Sequence, residues 1–391
     1  GGTTSAPYSS GEYNVALGYE ALKGFTTGHS NVAVGVIAGD SITTGQQNTL
    51  MGRYAGQSLT TDSYNTLIGS AAGQGLSSGD GYNTAIGYGA LYYGGANASN
   101  VAIGPLAMYG TSGTKNAIRN VAIGQSAFQA LDTGDYNVGI GYKAGENNNG
   151  TKNVFLGYQA ANTSTDVDAA VIIGYQAGYA NMTADADGTI AIGYEAGKAI
   201  TTGRSNTAIG YEALYTTTEM DFNTAIGYQA LKVASGSAGT GENTAIGYLA
   251  GTANTTAIRN TLVGAYAGNN LTTSGGNTLL GTRAGTTLTT GAGNIAIGYG
   301  AMYQSTTSNT NVVIGSDAMY SGNKAALYNV VIGPSAGMRM ANFAAGRNVY
   351  VGMNAGHNAT GSYNTFLGYD AGKGGTTSAP YSSGQNNTAV G

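Results

Sequence analysis

Asn206-Thr207-Ala208-Ile209-Gly210-Tyr211-Glu212-Ala213-Leu214 decides the fold, because close copies of it fill almost the whole chain. Its central Gly210 has counterparts from Gly18 through Gly227 to Gly391, 22 in all, mostly 17 residues apart and never closer than 16. A period this short and persistent is the signature of a solenoid, in which each repeat is one unit stacked on the next. Four residues before the glycine stands Asn, as Asn206 and Asn223, in 20 of the 22 copies; Ala170 and Thr189 replace it in the other two. Three before it stands Thr, Val or Ile. One before it stands an aliphatic residue or Met, as Ile209 and Ile226. Three after it stands Ala in every copy that continues, as Ala213 and Ala230. β-Branched residues spaced by two suit one face of a short strand. A position that admits only Ala points into a tight interior.

A repeat of 17 residues is too short for a helix, a strand and their connections. One repeat therefore reads as one coil: a strand, a bend at the glycine, a short second strand and a corner. Thr-Thr-Gly marks the corner at Thr26-Thr27-Gly28, Thr43-Thr44-Gly45 and Thr201-Thr202-Gly203, where Gly is expected to supply a positive φ. Stacked coils pair in parallel, ~4.8 Å apart. The chain is thus predicted to be all-β, a parallel β-solenoid or β-roll forming one continuous body over residues 1–391. Twenty-two such coils would make a rod on the order of 100 Å long. The recurring Asn has two readings, an amide ladder from coil to coil or an Asx residue holding a turn. Neither is catalytic.

The two β-branched positions before the glycine are expected to face inward, which sends the residue between them outward. That residue is Ala208, Ala225, Ala245, Leu262, Leu279 and their equivalents, apolar throughout except for the Tyr350 hydroxyl. An outward apolar stripe of that length is too large to leave in water. It predicts a homo-oligomer, as a parallel homotrimer or a lateral bundle, with small Ala letting backbones approach.

Charged residues make up only 9% of the chain and the net charge is −4. No basic stripe suits nucleic acid. No cysteine is present, which excludes disulfides and thiolate metal sites. No apolar run approaches the length of a membrane span. Gly1 to Gly11 returns unchanged from Gly374 to Gly384. The chain therefore reads as an excerpt of a longer repetitive protein, or as copies that add end to end through open strand edges.

Chemistry-bearing constellations are scarce. His29 and His357 are the only histidines, some twenty coils apart. No nucleophile elbow, Ser/His/Asp set or phosphate loop can be assembled. Asp166, Asp168, Asp185 and Asp187 could hold Ca²⁺ with backbone carbonyls, or be solvated loop carboxylates. Asn97, Asn181 and Asn254 open N-glycosylation triplets that arise readily in a chain rich in Asn and Thr. Acyltransferase coils repeat an aliphatic residue every sixth position and use a His, and lyase coils gather charges in one groove. Neither pattern occurs here, so no enzyme, cofactor or resident metal is expected.

Asn-Thr-Ala-Ile-Gly-Tyr-x-Ala, at Asn206 to Ala213 and Asn223 to Ala230, resembles the head repeats of trimeric autotransporter adhesins of the YadA type. Similar repeats occur in phage tail-fibre proteins. The resemblance spans all the coils, although the coil here is longer than the adhesin's and no stalk, neck or anchor motif accompanies it. It implies a left-handed β-roll in a three-chain assembly. It also implies an extracellular or cell-surface fibre, or a virion tail, that attaches to a host surface or glycan by multivalent contact. A Thr-bearing face that orders ice or another surface is the rival expectation, weakened because Thr stands three before the glycine in only 10 of 22 copies.

Overall fold

The structure, a computed structural model, describes residues 10–77, 81–93, 98–111, 116–237, 239–321, 325–340, 346–374 and 384–391. The duplicated segments 1–11 and 374–384 lie largely outside those residues. The chain divides into two compact units, Gly1–Ile192 and Gly193–Gly391. The first carries strands β1 (Val15–Leu17) to β11 (Ile190–Ile192), and the second β12 (Thr207–Ile209) to β22 (Thr388–Val390), every strand three residues long. Among the described residues the one helical element is a single 3₁₀ turn, Ala184–Ala186.

Within each unit successive strands pair in parallel and in strict register, as Val15 with Val32 and Thr207 with Thr224. Insertions leave the register intact. The step from Gly227 to Gly247 is 20 residues, yet Thr224 still faces Thr244. A few extra corner residues cost little loop entropy, whereas slipping the ladder would turn every side chain to the wrong face. Each unit is therefore a parallel β-solenoid of about 17-residue coils.

The second side of the coil is not a strand. Glu212 and Leu214, two and four residues past Gly210, have φ of 51° and 49°, in the left-handed region that extended chain does not use. Their N–H groups point alternately along the stack: Glu212 donates to the Tyr194 carbonyl (2.9 Å) and Leu214 to the Ala230 carbonyl (3.1 Å). The backbone is thus satisfied between coils without a sheet. The corner glycines also differ from expectation. Gly28, Gly45 and Gly203 are not among the residues with positive φ. They are glycine for want of room, since a Cβ on Gly28 would sit 2.5 Å from the Gly45 carbonyl oxygen.

The inward and outward faces are the reverse of the sequence expectation. Ala208, Ala225, Ala245, Leu262 and Leu279 are fully buried inside their own coils, and the strand residues on either side of them face out. The buried Asn explains this. Asn206, Asn223 and their equivalents are interior, and the residue two further along a strand must share their face. The supposed oligomer stripe is therefore the core.

The core is shared by two rows whose volumes trade. Where the inward strand residue is Ala, the residue four past the glycine is often large, as Ala208 with Leu214, Ala225 with Leu231 and Ala296 with Met302. Where it is large, that residue is often glycine, as Leu262 with Gly268, Leu279 with Gly285 and Tyr350 with Gly356. A Cβ on Gly356 would meet the Tyr350 ring at 2.7 Å. Dense packing across so narrow a coil leaves no space for two large residues at one level.

The Asn side chains form the amide ladder. Asn223 Oδ1 accepts from both the backbone N–H (3.2 Å) and Nδ2 (3.1 Å) of Asn243. Nδ2 of Asn243 also donates to the Ala257 carbonyl at the corner of the following coil (2.9 Å). In the first unit the ladder runs from Asn14 to Asn153, where Ala170 N–H still donates to Asn153 Oδ1 (2.8 Å) but offers no amide to continue it. In the second it runs from Asn206 to Asn387.

Candidate interaction surface

Reversing the faces places the repeat residues Ile209 and Ile226 on the outside, half-exposed, next to Gly210 and Gly227. Asn206, Asn223, Ala213 and Ala230 lie inside. The outer face of each coil carries the residue three before the glycine, the aliphatic residue one before it, and the residue one after it. That last residue is tyrosine in about half the copies, and the tyrosines stack. Tyr142, Tyr158 and Tyr175 are parallel with ring centroids 5.1 Å apart in the first unit. In the second unit Tyr194, Tyr211, Tyr228 and Tyr248 form a run with centroids 4.9–5.3 Å apart. The spacing follows the strand repeat, so each ring lies against the same ring one coil away. Between the aliphatic row and the tyrosine row runs the glycine row, which contributes no side chain. The sequence contained this row, but assigning the neighbouring position to the wrong face hid it.

Apart from Arg53, which follows Gly52, the three outward rows carry no charged residue. Lys–Glu pairs two and five past the glycine close over the second side of the coil, as Lys143–Glu146 (3.0 Å) and Lys198–Glu195 (2.6 Å). The corner preceding the Asn carries aromatic and basic residues. There the Arg347 guanidinium lies between the rings of Tyr328 (5.5 Å) and Tyr363 (5.4 Å).

Of the four candidate aspartates, Asp168 and Asp187 accept hydrogen bonds from backbone N–H groups of the neighbouring coil. Asp168 Oδ1 accepts the Thr151 N–H (2.5 Å), and Asp187 Oδ1 accepts the Asp168 N–H (2.8 Å). These carboxylates tie one corner to the next, as Asp135 does for Ile118 and Asp221 for Arg204. Burial pushes the Asp187 carboxyl above the ordinary range, opposed by its bond from Asp168 N–H and reinforced by the charges of Asp168, Asp166 and Asp185. Among the described residues no group of three or more His, Asp or Glu is placed to hold a metal ion. His29 Nδ1 lies 3.3 Å from Ser30 Oγ, and His357 Nδ1 lies 3.1 Å from Asn358 Oδ1. Of the glycosylation triplets, Asn97 is outside the described residues, Asn254 is fully buried and Asn181 is exposed. Among the described residues no helix is long and apolar enough to cross a membrane. No protein-family model matches the chain, and no curated protein matches it significantly.

Proposed function

We propose that this chain is a fibrous structural protein, the repetitive part of an extracellular appendage of the adhesin type. The observation that carries this reading is the strict register of the stack, which repeats one outward set of side chains coil after coil. Backbone bonds between coils stiffen the element, and identical shallow contacts to a host surface or glycan sum to avidity. The reading gives the chain no catalytic role. The shaft of a phage tail fibre would use the same physics with a different anchor. A glycan array probed with the full chain tests it. Altering the outward rows of one coil should leave binding nearly intact, and altering successive coils should reduce it steeply. All-or-none loss from a single coil would indicate one discrete site instead.

A second reading gains from the reversed faces. Thr207, Thr224, Thr244, Thr261 and Thr278 stand in register on the outer face of five successive coils. Such a row suits an ordered surface such as ice. Thermal hysteresis in solutions of the purified chain would support it, and ordinary freezing would remove it.

A further inference from the structure

We infer that a slot at one corner of the first unit, between Tyr82 and Arg119, is a binding site for a small aromatic acid. This goes beyond the fibre reading and does not rest on it. The residue five before the glycine of each repeat forms a row along the corner that precedes the buried Asn. Tyr82, Ser99 and Arg119 are three successive members of that row. Each stands two residues ahead of strands that pair in register, Thr84 with Val101 and Val101 with Val121. Their φ values of 66°, 59° and 56° are alike, so the three levels share one backbone conformation. The large residues of the row stack. Tyr64 and Tyr82 lie with ring centroids 4.8 Å apart and planes 8° from parallel. The Arg119 guanidinium lies over the Tyr136 ring (5.4 Å) and donates through Nη1 to its hydroxyl (2.5 Å).

Between Tyr82 and Arg119 the row holds only Ser99, and its short side chain leaves that level open. The result is a cavity of about 240 Å³ lined by Tyr82, Ala98, Ser99, Ile118 and Arg119. Ser99 is the only small residue of the row with a ring or a guanidinium on both neighbouring levels. Two levels of the stack span ~9.6 Å, so a group in the middle lies ~4.8 Å from each neighbour. That spacing suits a flat ring, which stacks on Tyr82 and offers its other face to the Arg119 cation. The second unit shows the arrangement occupied, with Arg347 on the level between Tyr328 and Tyr363. A pyranose would set its C–H groups on Tyr82 but has no π face for Arg119. The acid is named by charge. Among the described residues the Arg119 guanidinium has no carboxylate partner, whereas Arg259 in the same row is paired with Glu242 (2.8 Å). A carboxylate on the bound ring supplies the missing partner.

The test is calorimetric titration of the full chain with benzoate. The wild type is expected to bind one equivalent per chain. Benzyl alcohol lacks the charge and cyclohexanecarboxylate lacks the flat ring, and each should bind about 10-fold more weakly. Ser99→Tyr fills the slot with the residue that Tyr64 and Tyr136 already carry at the same φ. It is expected to keep the wild-type circular dichroism and to lose benzoate binding. Ser205→Tyr, in the same row of the second unit, should leave binding unchanged. Tyr82→Ala removes one exposed ring, should also lose binding, and covers a Ser99 variant that fails to fold. A wild type without saturable binding, equal affinity for the three probes, or binding that survives Ser99→Tyr in its folded state would each overturn the proposal. Tighter binding of glucuronate than of benzoate would overturn it in favour of a sugar site. Benzoate is monovalent, so failure of multivalent attachment on a glycan array would leave this result standing, and the reverse holds too.

Discussion

At the level of single residues, the glycine that heads each repeat is held by both conformation and space. Gly227 has φ of +133°, and a Cβ there would lie 2.4 Å from the Gly247 carbonyl oxygen. Gly227→Val should therefore cost well over the ~1 kcal/mol of a typical substitution, read as a lowered midpoint in urea. The ladder residue Asn223 accepts two bonds from Asn243 and donates to Asn206. Asn223→Ala should cost about 2–3 kcal/mol, because buried donors lose their acceptor rather than exchanging it for water. Asn254 runs the other way. It occupies the buried corner position taken by Leu271 and Leu288 in the next coils, and neither amide atom has a partner. Asn254→Leu should raise stability by about 1–2 kcal/mol, and a fall would show that its amide is satisfied by water. Asp187 titrates with the fold. Its carboxyl pKa is raised above 3.8 in the folded chain, so its protonated form favours folding and that contribution is lost as pH rises. Asp187→Asn, which keeps the acceptor, should raise the melting temperature at neutral pH, and the gain should fade below about pH 4.

The coil is the scale at which the sequence was most and least informative. Its length, its strand and its interior alanine were legible because the same residue types return at the same positions from copy to copy. The faces were not, because two apolar rows flank one another and hydrophobicity alone does not separate inside from outside in Thr207-Ala208-Ile209. The deciding signal was Asn206. An amide ladder has to be sheltered from water, and period two then carries Ala208 inward and Ile209 outward. The second side of the coil was misread for another reason. Left-handed φ at Glu212 and Leu214 is rare for such residues, and here it is sustained by bonds to the coils on either side. The volume exchange across the coil gives a test at this scale. Ala225→Leu alone should overpack against Leu231, costing about 1–3 kcal/mol. Adding Leu231→Gly should recover much of that loss, as the natural pair Leu262 and Gly268 implies. Strict additivity of the two changes would show that the rows do not share the space.

At the scale of a whole unit, chain length is converted into stack height one coil at a time, whatever each corner inserts. Spin labels on outward positions of the second unit read this directly. Thr207 pairs through successive strands with Thr224, Thr244, Thr261 and Thr278, and the ladder continues through Val312 to Val349. Cysteine pairs Thr207/Thr278, Thr207/Val312 and Thr207/Val349 can be introduced without background, because the chain has no cysteine. Dilution with unlabelled chain suppresses contacts between copies. At ~4.8 Å per coil, electron–electron distances should centre near about 19, 29 and 38 Å, before label length is added. A linear rise with coil number is the predicted result. Distances that scatter, or that do not rise by about 10 Å for each two coils added, would contradict the stack.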